Sequence, residues 1–139
     1  MGLSNSIQRI NFEDMITAYK KPEVYLLINT LSESEQDCLI LNTIIASKEE
    51  TIINHYMQNN KRIHIIIYGS NSNDEKINKK YEQFIKLGFS NVYIYTGGLF
   101  EWLMMQDIYG FSEFPTTTKQ LDFIKYKPPS RLHTSFIEN

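Results

Sequence analysis

Cysteine is almost missing from this chain of 139 residues; the single one, Cys38, excludes an internal disulfide and fits a reducing compartment. No apolar run approaches the roughly 20 residues of a membrane span. The N-terminus lacks the apolar core of a secretory signal, so a cytoplasmic location is expected. There is no excess of basic charge: 14 Lys and Arg against 16 Asp and Glu give a net charge of -2, which argues against a nucleic-acid partner. Only six glycines and four prolines punctuate the chain. No internal repeat or low-complexity linker is present.

What is there alternates. "SIQRIN" (6–11) reads as a short strand, and "NFEDMITAYKK" (11–21) as a helix with Asn11 as N-cap and Pro22 as its stop. "VYLLINT" (24–30) and "RIHIIIYG" (62–69) are continuous apolar runs, as expected of strands buried on both faces. "LILNTI" (39–44) and "NVYIYTGG" (91–98) add two more extended segments. Ser47 and Glu50 form a capping-box pattern for a helix over 47–60 that buries Ile52, Ile53, Tyr56 and Met57. A helix over 73–88 places Ile77, Tyr81, Phe84, Ile85 and Leu87 inward and stops at Gly88. Residues 99–110 complete the set, closed by Gly110. Strands alternating with helices predict an α/β domain with a mainly parallel five-stranded sheet covered on both faces. The expected organisation is a leader at 1–5, the domain at 6–115 and a C-terminal tail at 116–139. "LDFIKYKPP" (121–129) in the tail would pack across the domain or bind a partner.

Sites in such sheets form at the carboxyl ends of strands. The loop Gly69, Ser70, Asn71, Ser72, Asn73 and Asp74 lies at one, ahead of a helix. That geometry aims backbone N–H groups at an anion. The loop nevertheless carries no cysteine, lysine, arginine or histidine. Ser72 is its nearest nucleophile, but none of His55, His64 and His133 has a motif that would place a base beside it. Ser72 with Glu75 reads better as a capping box. Asn71, Asn73, Asp74 and Glu75 lack the glycine and distal glutamate of a calcium loop, so no metal or cofactor is expected.

The order of elements, with "KLGF" (86–89), "NVYIYTGG" (91–98) and Trp102, resembles the rhodanese-like domain. In that family a helix ends in Gly-Phe, and a strand, a Gly-Gly pair and a Trp follow. The resemblance covers residues 6 to 115. It implies a thiolate at the first residue of the loop after the fourth strand. Counted from the strand, that position is Gly69; counted back from Gly88, it is Asn71. The acidic residue the family carries on its second strand corresponds to Asn29, and its His-Pro pair falls within residues 39–41. Sulfur transfer by this fold needs a thiolate. A catalytically inactive rhodanese-like module that binds or scaffolds a protein partner is therefore expected, with the loop at 69–74 as a vestigial site. Two alternatives stand beside it. One is an active sulfurtransferase or phosphatase-like enzyme using Cys38 or an unusual loop register. The other is a structural component of a larger assembly such as a virus particle. Against the first, Cys38 follows Asp37, which raises a thiol pKa. Trp102 and Leu103 read as core, while Met104 and Met105 could form a docking face.

"MGLSNS" matches an N-myristoylation signal at Gly2, with Ser6 as the hydroxyl residue. One acyl chain holds a membrane weakly, and Lys20 and Lys21 are the candidate second signal.

Overall fold

The computed structural model describes residues 6–132; the Gly2 signal lies outside them. Five strands, β1 (Gln8–Ile10), β2 (Tyr25–Asn29), β3 (Thr43–Ile44), β4 (His64–Tyr68) and β5 (Asn91–Tyr95), form one all-parallel sheet in the order β1-β5-β4-β2-β3. Four helices accompany them: α1 (Phe12–Tyr19), α2 (Ala46–Asn59), α3 (Lys76–Lys86) and α4 (Gly98–Tyr109). Register across the centre pairs Leu27 with Ile66 and Ile66 with Tyr93; one step on, Ile28 pairs with Ile67 and Ile67 with Ile94.

Side chains alternate across a strand, so these two rows face opposite ways. Leu27, Ile66, Tyr68 and Tyr95 pack with Met15 and Tyr19 of α1 and with Leu99, Trp102 and Leu103 of α4. Ile28, Ile65, Ile67 and Ile94 pack with Ile53 of α2 and with Ile77, Tyr81 and Phe84 of α3. The central strands are largely apolar because both of their faces are covered, with Asn29 at the end of β2 and His64 at the start of β4.

Helix ends follow local chemistry in two places. Asn11 caps α1 as expected and forms a capping box with Asp14: Asn11 Oδ1 accepts the Asp14 N–H at 3.0 Å and Asp14 Oδ2 accepts the Asn11 N–H at 3.2 Å. After α3, Gly88 takes φ +100, and the Gly88 and Phe89 N–H groups donate to Ile85 and Phe84. Phe89 then packs edge-on against Phe84, which completes a Schellman stop.

The start of α2 differs from the sequence expectation. Ser47 and Glu50 make no capping box; α2 begins at Ala46, with no side-chain cap from its N-cap residue, Ile45. The Ala46 N–H instead donates to Gln36 Oε1 at 2.9 Å. Gln36 also exchanges two hydrogen bonds with the buried Asn29, and Asn29 satisfies Ile44 and Leu31. One carboxamide pair thus fixes β2, β3 and the α2 start together. Gln36→Ala is expected to cost about 1–3 kcal/mol, because it leaves one Nδ2 hydrogen of the buried Asn29 and the Ala46 N–H without their acceptor. Urea denaturation checks this, and a neutral result would mean that water replaces the carboxamide.

The segment 39–44 is extended as expected: it holds a two-residue strand, and Leu39, Ile40 and Leu41 pair with residues 115–117. Two smaller expectations shift. On α2, Ile53 alone is buried, while Ile52, Tyr56 and Met57 pack half-buried at the margin of the core. On α3, Ile85 is exposed and Leu87 half-buried.

Residues beyond α4 finish the α1/α4 face. Thr116 bridges Ile40 antiparallel, the Thr117 N–H donates to Leu39 O at 2.8 Å, and Phe114 and Tyr126 enter the core. Among the described residues, no helix is long and apolar enough to cross a membrane, and no group of three or more metal-ligating side chains forms.

Candidate functional site

The loop at 69–74 leaves β4 at its carboxyl end. Tyr68, the last strand residue, is fully buried; its hydroxyl meets Thr43 Oγ1 at 2.8 Å and accepts the Ile40 N–H at 3.1 Å. Burial pushes its pKa far above the ordinary phenol value. Gly69 comes next and is itself buried.

The centre of the loop is filled by Asp74. Its Oδ2 accepts the Thr30 hydroxyl at 2.9 Å and the Ser70 N–H at 3.4 Å. Its Oδ1 accepts the Lys76 N–H at 3.0 Å. Asp74 therefore starts α3, where Ser72 with Glu75 was expected; Glu75 gives no side-chain cap, and Ser72 is exposed. A carboxylate at a helix N-terminus is favoured by the dipole as well as by the hydrogen bond. Thr30, immediately after β2, turns the local cap into a tie between two strand ends.

Asn71 is the second organiser. It is buried, its Oδ1 accepts the Asn73 N–H at 2.8 Å, and its Nδ2 donates to Tyr126 O at 2.8 Å. The outer carbonyls of the loop are used too. Gly69 O accepts the Leu99 N–H at 2.9 Å, and Ser70 O accepts the Phe100 N–H at 2.8 Å. Two first-turn donors of α4, which would otherwise attract an anion, are thereby spent on the loop.

A Cβ placed on Gly69 would point into this filled centre. It would collide with Asp74 Oδ2, and would lie 2.6 Å from Thr30 Oγ1 and 2.9 Å from Asp74 Cγ. Gly69 is the first loop residue after β4, while Asn71 ties the loop to the tail.

The other candidate groups lie elsewhere. His64 sits at the opposite end of β4, between the rings of Tyr25 (5.3 Å) and Tyr93 (5.8 Å). His55 is on α2 beside Asn59, and His133 is outside the described residues. Asn29 serves the Gln36 network. Cys38 is buried in the α1/α4 core, where its thiol donates to Thr118 O at 3.4 Å. Burial pushes the thiol pKa up, hydrogen bonding to Thr118 and Thr116 offsets part of this, and the Asp37 carboxylate adds to the rise.

Cys38 is accordingly expected to resist iodoacetamide in the folded protein near pH 8 and to react fully in urea. The same shift has a stability consequence. Above about pH 8.5 the unfolded chain gives up the thiol proton while the folded chain keeps it, so stability falls as pH rises. Tyr126, pushed up to about 12 by burial, adds to the loss above about pH 10. The urea midpoint should therefore drop between neutral and alkaline pH; a midpoint that holds would contradict this placement of the groups.

Sequence reading missed the inward role of Asp74, the Gln36 cap and the Asn71 tie to Tyr126. Only Asp74 left a signal, since aspartate caps helices as well as serine does.

Comparison with known proteins adds the following. The family model described as the rhodanese-like domain matches residues 18–105. No curated protein matches the sequence. Among solved structures, the BH2092 protein from Bacillus halodurans is 20% identical with TM-score 0.58, covering 78% of this chain and 77% of that one. The rhodanese-like domain of the Alr3790 protein from Anabaena sp. is 16% identical with TM-score 0.57, covering 91% and 87%. Thiosulfate sulfurtransferase from Pseudomonas aeruginosa is 20% identical with TM-score 0.52, covering 69% of this chain and 18% of that one. At these identities the likeness is one of fold.

Proposed function

Because this chain belongs to the rhodanese-like domain family, we propose that it is a member without covalent catalysis that works by binding a protein partner. One observation carries the reading. The residue that opens the loop after β4 is glycine, and the space before it holds the Asp74 carboxylate on Thr30 and Ser70. A persulfide or phospho-enzyme cycle needs a thiolate at that point and room for an anion before it. A fixed carboxylate there repels an anionic substrate and holds a donor that would otherwise stabilise it. Cys38 does not substitute, being buried and raised in pKa.

The purified protein is expected to show no turnover above a heat-denatured control with thiosulfate and cyanide, or with an aryl phosphate. Turnover that disappears in Cys38→Ser would replace this reading with a relocated thiol enzyme. Turnover that survives Cys38→Ser would overturn it in favour of a hydroxyl-based route.

A further inference from the structure

We infer that the open side of α1 and α4 is a docking groove for an amphipathic helix that carries lysine or arginine beside an apolar stripe. The inference rests on the binding reading for its purpose but not on the loop for its geometry.

Helix α4 is apolar over most of its circumference, broken by Glu101, Gln106 and Asp107. Leu99, Trp102 and Leu103 face the core, while Phe100, Met104, Met105, Ile108 and Tyr109 occupy the remaining sides. Apolar outer sides of this kind are normally covered. Here Ile108 is 65% and Tyr109 62% exposed. One hollow, of about 460 Å³, lies between the two helices and is floored by Phe12, Ile16, Met105, Tyr109 and Phe114.

Charge selects the occupant. The residues lining it include two carboxylates, Glu13 and Glu113, and no lysine, arginine or histidine. Among the described residues neither makes an ion pair. An apolar floor edged by carboxylates of one sign favours apolar anchors flanked by cations. The floor is built from the sides of two helices, so a third helix is the shape whose ridges fit it.

The test is a fluorescence-anisotropy titration of the full chain with a labelled Leu/Lys helix of about 14 residues, two heptads. A Leu/Glu peptide of the same pattern is the control, and both are run at about 150 mM salt. The Leu/Lys peptide should bind at least roughly tenfold more tightly than its control. Glu13→Lys with Glu113→Lys should weaken it at least roughly tenfold, whereas Glu50→Lys with Glu82→Lys, exposed on α2 and α3, should change it less than about twofold. If the lysine pair fails to fold, Glu13→Gln with Glu113→Gln should give a smaller loss in the same direction. Failure to bind, equal binding of both peptides, or equal loss from the α2/α3 pair overturns the groove. So does concentration-dependent dimerisation abolished by Tyr109→Ser, which would make a second copy the occupant. Thiosulfate turnover is read separately, so the loop reading and the groove can fail independently.

Discussion

Trp102→Ala is expected to lower the stability of the domain by about 3–5 kcal/mol, a large share of the roughly 5–15 kcal/mol that such domains possess. The side chain is fully buried where α1, β5, α4 and the tail meet. Its ring stands edge-on to Tyr19, Tyr95 and Phe114, with centroids 5.9, 6.2 and 5.0 Å away. Its Nε1–H donates to Pro115 O at 3.1 Å. Truncation would open a cavity among three aromatic rings and remove one of two hydrogen bonds to Pro115 O, which keeps the Leu41 N–H at 3.1 Å. Trp102 is the only tryptophan, so urea unfolding must be followed by far-UV circular dichroism. Trp102→Phe should recover part of the loss without the hydrogen bond. A loss under about 1 kcal/mol for the alanine variant would show that the neighbours close over the site.

Gly98→Ala is expected to cost about 2–5 kcal/mol and to loosen the loop at 69–74 specifically. Gly98 has φ +69, which costs an L-residue about 1–2 kcal/mol. The added Cβ would lie 2.7 Å from Gly69 O, 2.9 Å from Asn71 N and 3.0 Å from Asn71 Cα, all backbone atoms. No side chain can swing aside, so the loop itself must move, at about 1–3 kcal/mol more. The hydrogen bonds from Leu99 and Phe100 to the loop carbonyls would be the first casualties. Hydrogen exchange should show lost protection at those two amides beyond that explained by the global change. A near-native urea midpoint would mean that the loop yields easily and is no rigid tie.

The central strands and most helices were legible in the sequence for a physical reason. A strand covered on both faces must be largely apolar, and residues 24–28 and 65–68 are. The stop at Gly88 was legible because a Schellman turn needs a residue free to take positive φ. The helix starts were less so. Ser47 and Ser72 have the local pattern of caps, but the groups that serve α2 and α3 are Gln36 and Asp74. Gln36 reaches Ala46 across ten residues, through its pairing with Asn29, and local propensity carries no trace of that. Ser72 and Asp74 are equally good caps by type; Thr30, 44 residues earlier than Asp74, decides between them. The vacancy of the loop in reactive groups could be read directly. That a carboxylate fills it could not, because the fold brings Thr30 there.

The tail pairing also sets an order of events during synthesis. Leu39 meets Thr117, and Cys38 meets Thr118, across 78 and 80 residues of chain. Closing a loop of that length is entropically costly and slows folding relative to local pairing. While the chain is being made, β2 and β4 can pair and α2 and α3 can cover their side of the sheet. The α1/α4 side waits for Phe114, Thr116 and Tyr126 to leave the ribosome. Until then residues 38–40 stay wet, and the nascent chain carries a half-built core.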